Sequence, residues 1–402
     1  MTKRAAASAA LRFSALLVAG SAVALATSAS PSQAAGPDQR PGAVFSMTNN
    51  SMANAITVFE RGSDGTLTRR ADVLTGGRGT GTPEDSANGL ILANVNGETS
   101  PTNTSGSAKF LLALNGDSNS ISVLRNDPAG LVLVDTEPSN GMRPISITVN
   151  NGVAYVLNAG TTMCTGAGPQ PNITGFFFDA QGQLTPIPGS TRPLSGLPNS
   201  GCTQVAFDKT GKVVIVDEQQ ADVITTYTRN TDGTLSGPTA QQTTGNGPFG
   251  LTLTQRNQLL TTENFGATPG QGGLASYAID ERTGTLTPLS PTVRNGQSDT
   301  CWVAITDNNK YAFTSSFGDD GGISSYRVSP DGSLVLLGTQ AATVGSGSSD
   351  VTLSKDSRFL YVKNSLLGTV TSFRIEDDGA LVQIDQDRDS SIGAGSIGLA
   401  GI

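Results

Sequence analysis

Short segments in which apolar and polar residues alternate recur along most of the chain. Alternation with a period of two residues predicts β-strands that present different faces to successive side chains. The seven clearest segments are residues 55–59, 120–124, 173–178, 223–227, 274–279, 323–328 and 370–375. The pattern therefore predicts an all-β protein.

Each of these segments is followed by a turn with the sequence Gly-x-Leu, shortened to Gly-Leu in the second copy, and four copies read Asp-Gly-x-Leu. Asp-Gly between apolar runs predicts a β-hairpin, because glycine readily takes the positive φ that the turn needs. The turn glycines are Gly65, Gly130, Gly182, Gly233, Gly284, Gly332 and Gly379. They stand 65, 52, 51, 51, 48 and 47 residues apart, which is an internal repeat.

Two further strand types complete each repeat. A shorter strand precedes the alternating one, as at residues 110–114, 154–157, 213–216, 311–315 and 359–363. Another follows the turn strand, as at residues 145–149, 204–207, 250–253, 302–305 and 351–353. Four strands per repeat at a period near 50 predict a seven-bladed β-propeller with antiparallel blades. Residues 396–401 match the strand type missing from the first repeat, so we expect the C-terminal strand to close the first blade.

The amino terminus has the pattern of a secretory signal peptide. Lys3, Arg4 and Arg12 precede an apolar stretch, and Ser32-Gln33-Ala34 is a small-x-small cleavage site. A permanent membrane anchor is the alternative, but the apolar stretch is short for a span. We expect a signal peptide over residues 1–34, a propeller domain over residues 35–402, and a secreted protein without a membrane anchor.

Composition excludes several classes of function. The chain has no histidine, which rules out Ser-His-Asp and Cys-His nucleophiles and an H-E-x-x-H zinc site. Its 25 basic and 33 acidic residues give a net charge of −8, which disfavours nucleic-acid binding. We expect no metal and no cofactor. Charged residues are only 14% of the chain and glycines number 49, as a ring of short strands and tight turns requires.

Long connections indicate which face of the propeller carries function. We call "top" the face where the strands of residues 145–149, 204–207 and their equivalents begin. Connections rich in glycine and proline fall on that face, at residues 75–89, 160–172, 186–201 and 265–273. Long loops on a rigid scaffold commonly carry function. The alternative is that these loops are surface insertions that the fold tolerates.

A column of polar residues ends the shorter strands at this face: Asn49, Asn115, Asn158, Asp217, Glu263, Ser316 and Asn364. Short side chains of this kind bond to nearby backbone. Glu263 is the exception because it is longer, so we expect it to be a mouth-facing catalytic acid or base; a solvated or salt-bridged Glu is the alternative. Arg143 is expected to bind an anionic group, or else to hold a surface loop. Asp217 and Gln204 are further candidates for substrate binding.

The three cysteines are Cys164, Cys202 and Cys301. A secreted protein permits disulfides. Cys164 lies in a top loop of the third repeat and Cys202 begins the next repeat, so we expect these two to pair. Cys301 lies two repeats further on and is expected to be a buried thiol.

Three motifs carry a resemblance to a known family: Gly-Pro-Phe-Gly-Leu-Thr-Leu at residues 247–253, Ala-Tyr-Val-Leu-Asn at 154–158, and Asp-Gly-Ser-Leu at 331–334. The repeats resemble the lactonase-type seven-bladed propellers, which include 6-phosphogluconolactonase, carboxymuconate cyclase and related YVTN-type proteins. The resemblance spans roughly residues 41–402 and implies metal-free opening or closing of a lactone at the top mouth.

This sequence departs from the family pattern at one motif. Active members commonly read Gly-Pro-Arg-His, followed by a strand that ends in Asn-Glu, whereas this chain has Phe249 and Gly250 at the Arg and His positions. The Glu corresponds to Glu263. The resemblance thus implies a lactone hydrolase or cyclase that acts on a small lactone or organic acid. The alternative is a non-catalytic extracellular propeller that binds a protein ligand. We expect a monomer in either case.

Overall fold

The structure, a computed structural model, describes residues 42–98, 108–165, 168–318, 321–387 and 398–402. The expected signal peptide, residues 1–34, lies outside these residues. Residues 99–107 and the first two residues of the expected closing strand, 396 and 397, also lie outside them. Within the described residues, the predicted propeller with four antiparallel strands in each blade is confirmed.

The first three blades contain the following strands. The first blade has β1 Gly42–Met47, β2 Ala55–Arg61, β3 Leu67–Leu74 and β30 Leu399–Gly401. The second has β4 Leu90–Asn94, β6 Phe110–Asn115, β7 Ser120–Asp127 and β8 Gly130–Pro138, with the short β5 Gly97–Glu98 beside it. The third has β9 Pro144–Asn150, β10 Val153–Asn158, β11 Asn172–Phe178, and an outer strand divided into β12 Leu184–Pro186 and β13 Arg192–Pro193.

The other four blades are more regular. The fourth has β14 Cys202–Phe207, β15 Val213–Glu218, β16 Val223–Arg229 and β17 Leu235–Gln242. The fifth has β18 Pro248–Leu253, β19 Gln258–Glu263, β20 Gly273–Ile279 and β21 Leu286–Arg294. The sixth has β22 Thr300–Ile305, β23 Tyr311–Ser316, β24 Gly322–Val328 and β25 Leu334–Thr343. The seventh has β26 Ser348–Leu353, β27 Phe359–Asn364, β28 Thr369–Ile375 and β29 Leu381–Asp387. Short 3₁₀ turns occur at Thr162–Cys164, Gln219–Ala221 and Phe265–Ala267.

The ring closes as the sequence predicts. Strand β30 is the innermost strand of the first blade and pairs antiparallel with β1, with Val44 opposite Gly401. The chain therefore joins its two ends within one blade. The second and third blades are also joined, because β5 pairs with both β4 and β9.

The core lies between the blades, which explains the alternating pattern. In β15, Val214 and Val216 pack in a cluster shared with the third blade, while Val213 and Ile215 pack in a cluster shared with the fifth. Both faces of such a strand are therefore buried, and each blade depends on its neighbours for stability.

The repeated turn also packs between blades. Gly65 has a φ of 90°, and a Cβ atom added there would lie 2.4 Å from Cδ1 of Phe359 in the seventh blade. The Asp64 side chain accepts hydrogen bonds from the backbone N–H and the hydroxyl of Thr66. Position 65 therefore requires glycine for two reasons: its backbone has a positive φ, and a side chain there would clash with Phe359 of the seventh blade.

Candidate functional site

The connection between β3 and β4 runs across the mouth of the central channel on the top face. The indole Nε1 of Trp302 in the sixth blade donates to Ser86 O at 3.0 Å. Ala87 N donates to Thr203 O in the fourth blade at 3.2 Å, and Ile147 N in the third blade donates to Asn88 O at 3.1 Å. We call residues 84–88 the crossing segment. Because it contacts the third, fourth and sixth blades, the crossing segment lies over the central channel on the top face.

Arg143 and Glu84 form an ion pair beside the crossing segment. Arg143 Nε lies 3.1 Å from Glu84 Oε2, and Nη2 lies 2.9 Å from Oε1. Their side chains are 21% and 6% exposed. The Arg143 backbone is left-handed, with a φ of 55°, and its N–H donates to Asn119 Oδ1 at 2.7 Å. Arg143 was expected to bind an anionic group or else to hold a surface loop, and its partner in the structure is Glu84, which was not anticipated.

The environment of Glu84 perturbs its protonation. Burial raises the pKa of the Glu84 carboxyl, while the Thr80 hydroxyl that donates to it and the Arg143 guanidinium act in the opposite direction. A carboxylate with a raised pKa is suited to proton transfer near neutral pH. Glu84 is therefore, with Asp85, one of two carboxylates of the crossing segment whose pKa burial raises.

A cavity of about 750 Å³ opens outward from this pair, above the second and third blades. Its wall includes hydroxyl groups, an amide and the guanidinium, contributed by Thr80, Thr82, Asn119, Arg143, Thr161 and Thr162. We call it the mouth cavity. Its size suits a small ligand, and its donors and acceptors suit hydroxyl and carbonyl groups.

Two further acids are Asp85, which belongs to the crossing segment, and Asp299, whose charge acts on Asp85. Burial, followed by the nearby charges of Asp299 and Glu84, raises the pKa of Asp85 to about 7. Asp299 Oδ1 accepts from Asn264 Nδ2 at 3.1 Å and from the thiol of Cys301 at 3.3 Å. Burial raises the pKa of Cys301 well above its usual value, so this buried thiol stays protonated and is a poor nucleophile.

Glu263 lies elsewhere, in a closed interface. Its side chain is fully buried, and it accepts hydrogen bonds from Gly245 N at 2.9 Å and from the hydroxyl of Thr292. Burial raises the pKa of Glu263, with both hydrogen bonds opposing that effect. The expectation of a mouth-facing carboxylate at Glu263 therefore disagrees with this geometry, because Gly245 and Thr292 enclose the group.

Some of the strand-end residues hold the connection that leads into their own blade. Asn158 Nδ2 donates to Ser139 O at 3.4 Å, and Asn364 Nδ2 donates to Gly345 O at 2.9 Å. Glu263 does the same through Gly245. Asn115 and Ser316 instead bond to side chains, those of Ser122 and Thr300, so the expected bonding to local backbone applies to only part of the column.

The pairing register changes one member of that column. Pro248 pairs with Glu263 in the fifth blade, and Cys202 pairs with Glu218 in the fourth. Glu218, rather than Asp217, is therefore the equivalent of Glu263. The register shifts between Cys202 and Gln204, and the same one-residue shift occurs between Pro248 and Leu251, so in both blades the first residue of the inner strand pairs with the last residue of the next strand.

The other substrate-binding candidates face protein groups. Asp217 is fully buried and accepts from Thr261 Oγ1 at 2.7 Å, and its Oδ1 has no partner among the described residues. Burial raises the pKa of Asp217 well above its usual value. The Gln204 amide is engaged at both ends by the backbone of Leu251, at 2.9 and 2.8 Å. Gln204 lines a separate cavity of about 90 Å³. Neither residue lines the mouth cavity.

The structure also explains the departure at Phe249 and Gly250. Phe249 is fully buried and packs edge-on against Trp302, with ring centroids 5.2 Å apart. A Cβ atom added to Gly250 would lie 2.2 Å from Cys301 O. A side chain at position 250 would therefore force the fifth and sixth blades apart, so the packing in this chain leaves no room for a histidine there.

The structure links Cys164 to Cys202 by a disulfide, with Cα atoms 5.5 Å apart. This bond joins a top loop of the third blade to the first strand of the fourth. Among the described residues, no group of three or more Cys, Asp or Glu side chains could hold a metal ion. In the same part of the chain, no helix has the length and apolar character of a membrane span.

Comparison with known proteins supports the fold and the family resemblance. A family model described as "Lactonase, 7-bladed beta-propeller" matches residues 233–347 and 264–392. A 6-phosphogluconolactonase of Bacillus subtilis is 33% identical over 113 residues, which is 28% of this chain and 31% of that protein. The chain thus matches less than a third of that relative's length. The expected resemblance to lactonase-type propellers is confirmed.

Solved structures show the same fold over most of the chain. A putative 6-phosphogluconolactonase of Bacteroides uniformis has a TM-score of 0.68 at 15% identity. The match covers 90% of this chain and 100% of that protein's chain. A periplasmic gluconolactonase of Pseudomonas aeruginosa has a TM-score of 0.66 at 15% identity, covering 90% of this chain and 99% of its own. At such identities these likenesses bear on the fold alone. Glu84 and Arg143 both lie outside the residues that the family model matches.

Proposed function

We propose that this lactonase-type seven-bladed propeller hydrolyses an uncharged sugar lactone in the mouth cavity. One observation carries the proposal: Arg143, on the cavity wall, is paired with the buried Glu84, whose pKa is raised by burial. A cation and a proton-accepting carboxylate are the two groups that metal-free ester hydrolysis needs.

In the proposed reaction, the guanidinium of Arg143 donates to the lactone carbonyl oxygen, where negative charge develops. Glu84 takes a proton from a water molecule as its oxygen attacks the carbonyl carbon. The ring C–O bond then breaks, and the departing alkoxide oxygen recovers the proton from Glu84. The product is a hydroxy acid, whose carboxyl group loses its proton to solvent, and the resulting carboxylate remains beside Arg143 until it leaves.

The charges of the mouth cavity favour a neutral substrate. Arg143 and Asp117 are the charged residues among those that line it. The charge of Arg143 is balanced by Glu84, while Asp117 pairs with Arg78, whose Nε lies 2.8 Å from it. No described cation of the wall is left over for a phosphate group, which usually needs one.

A non-catalytic binding propeller is the second candidate. It is supported by the closed state of Glu84, which is 6% exposed and already bound by Arg143 and Thr80. In that case the mouth cavity would bind a small organic molecule without converting it.

We also propose that the protein is secreted after cleavage following Ala34. The signal-like amino terminus supports this, and the Cys164–Cys202 disulfide fits an oxidising compartment.

The test is hydrolysis of D-glucono-1,5-lactone and of its 6-phosphate, measured by pH-stat with the spontaneous rate subtracted. We expect turnover of the neutral lactone and weaker turnover of the phosphate. Glu84→Gln should lower kcat/KM by about 10²–10³. The matched control is Glu376→Gln, an exposed partner of Arg374 on the seventh blade, which should leave the rate unchanged. A wild-type protein that accelerates neither lactone would contradict the proposal and favour the binding propeller.

A further inference from the structure

A second cavity on the top face lies between the fourth and fifth blades and has a volume of about 550 Å³. Its wall includes three glutamines, an asparagine, an aspartate and an aromatic ring: Gln219, Gln220, Gln271, Asn246, Asp222 and Phe265. We call it the amide cavity. It shares no lining residue with the mouth cavity.

The glutamines of this wall have unused hydrogen-bonding capacity. Within the described part of the chain, the side-chain amides of Gln219, Gln220 and Gln271 make no hydrogen bond to protein. Gln219 Oε1 is closed off from solvent, so this atom does not face the cavity. The remaining amide groups of the three glutamines are the ones that the wall offers to a ligand.

The backbone around the cavity is held in an unfavourable conformation. Phe265, Gly266 and Ala267 have φ values of 54°, 60° and 58°, so three successive residues are left-handed, and two of them are not glycine. Asn264 Oδ1 accepts from Gly266 N at 3.0 Å, and Phe265 N donates to Asn246 O at 3.1 Å. Strained conformations that the surroundings enforce cluster at ligand sites.

The charges near the amide cavity are already engaged. Gly247 N donates to Asp222 Oδ1 at 2.8 Å. The Arg294 guanidinium lies over the Phe265 ring, with its Cζ 4.0 Å from the ring centroid, and donates to Gln271 O at 2.7 Å. The wall therefore offers a ligand uncharged amides, the acceptor oxygens of Asp222 and the face of the Phe265 ring that Arg294 does not cover.

We propose that the amide cavity binds a neutral saccharide. Each sugar hydroxyl both donates and accepts, which matches glutamine and asparagine amides. The apolar C–H face of a sugar ring suits an aromatic side chain, and the volume suits a mono- or disaccharide. This site is separate from the mouth cavity, and the proposal does not require the chain to be an enzyme.

The experiment is calorimetric titration of the wild-type protein with glucose, galactose, maltose and cellobiose. We expect at least one of them to bind with millimolar or tighter affinity. The variant Gln219→Ala/Gln271→Ala should bind that sugar at least tenfold more weakly, with an unchanged melting temperature. The control is Gln383→Ala, at an exposed position on β29, which should bind as the wild type does.

Two results would overturn the proposal: none of the four sugars binds, or the double variant keeps the wild-type affinity. Phe265→Leu gives an independent readout, since it removes the ring but keeps an apolar side chain, and it should also weaken binding. Lactone hydrolysis is measured in the same variants and should not change. Failure of the amide cavity is thereby distinguished from failure of the proposed function.

Discussion

Two acidic regions of the top face show how similar carboxyl groups acquire different roles. Beside the second and third blades, Glu84 is paired with a guanidinium at the edge of a cavity. Between the fourth and fifth blades, Asp217 and Glu263 are enclosed, and they accept hydrogen bonds from hydroxyls and a backbone N–H. Burial raises the pKa in all three cases, so a raised pKa alone does not identify a catalytic group.

What separates the two regions is access. Glu84 is itself only 6% exposed, but its partner Arg143 is 21% exposed and lines the mouth cavity, whereas Asp217 and Glu263 are both 0% exposed. A carboxylate can exchange a proton with a substrate only if the substrate can reach it. We therefore assign chemistry to the first region and stability to the second.

The largest expected effect is loss of the cation from the mouth. Arg143→Met should lower kcat/KM for the neutral lactone by about 10²–10³, because the developing oxyanion loses its donor. It also leaves Glu84 buried without its counter-charge. Because Arg143 is partly exposed, we expect a stability loss on the order of 1–3 kcal/mol, measured by urea unfolding.

Arg125→Met is the matched control, since Arg125 pairs with Asp127 in an exposed position on the second blade. Neither the rate nor the urea midpoint should change measurably. Equal effects of the two Arg substitutions would remove the distinction between the mouth pair and an ordinary surface pair.

Glu263→Ala should show the opposite balance of effects. The partly buried N–H of Gly245 loses its acceptor, which costs about 1 kcal/mol in the free energy of unfolding. Lactone hydrolysis by the folded protein should stay within a few-fold of the wild-type rate. A loss of activity as large as that in Glu84→Gln would place the catalytic carboxylate in the fourth–fifth interface instead.

Asp217→Asn tests the enclosed region through pH. Because the pKa of Asp217 is raised in the folded state, its contribution to stability is fully present below the unfolded value near 3.8 and is lost as pH rises through the folded pKa. The Asn variant lacks this loss, so its stability relative to wild type should improve as pH rises above about 4.

Asp64→Asn is the control with the opposite sign. The Thr66 hydroxyl and N–H hold the pKa of Asp64 below its usual value, so that group stabilises the folded state above its unfolded pKa and the benefit is lost on acidification. Its stability relative to wild type should therefore not improve as pH rises. Identical pH trends in the two variants would show that Asp217 is not the titrating group.

The smallest expected effect is in the pH profile of the wild-type enzyme. Glu84 must be ionised to accept a proton, so kcat/KM should fall as pH drops through its pKa, which burial raises above the usual 4.5. The residual rate of Glu84→Gln should lack this fall. A profile that is flat from about pH 4 to 8 in wild type would exclude Glu84 as the base.

Most of the fold was predictable because its determinants are local. Alternation marks strands, and a turn such as Asp64-Gly65 needs glycine for its positive φ. The closing strand was predictable by elimination, since one strand type was missing from the first repeat and appeared at the end of the chain. These features require no knowledge of which blade touches which loop.

The site was predictable only in part. Arg143 was identified from its place at the start of a strand, and the loop that holds Glu84 was identified from its length. Glu84 itself was missed because no local pattern distinguishes it from other loop acids. Glu263 was singled out for its length within the column, but its enclosure depends on Gly245 and Thr292, which belong to different connections and strands.

The sequence by itself determined the strand count, the turns and the closure of the ring, because these follow from side-chain alternation and backbone conformation within each repeat. Only the tertiary structure decided which acids meet a cavity. The crossing segment reaches Trp302 across 216 residues of sequence, and only the strand pairing shows that Glu218, opposite Cys202, is the equivalent of Glu263. The exposure of a carboxylate depends on every residue packed around it, and many of these residues are distant in the sequence.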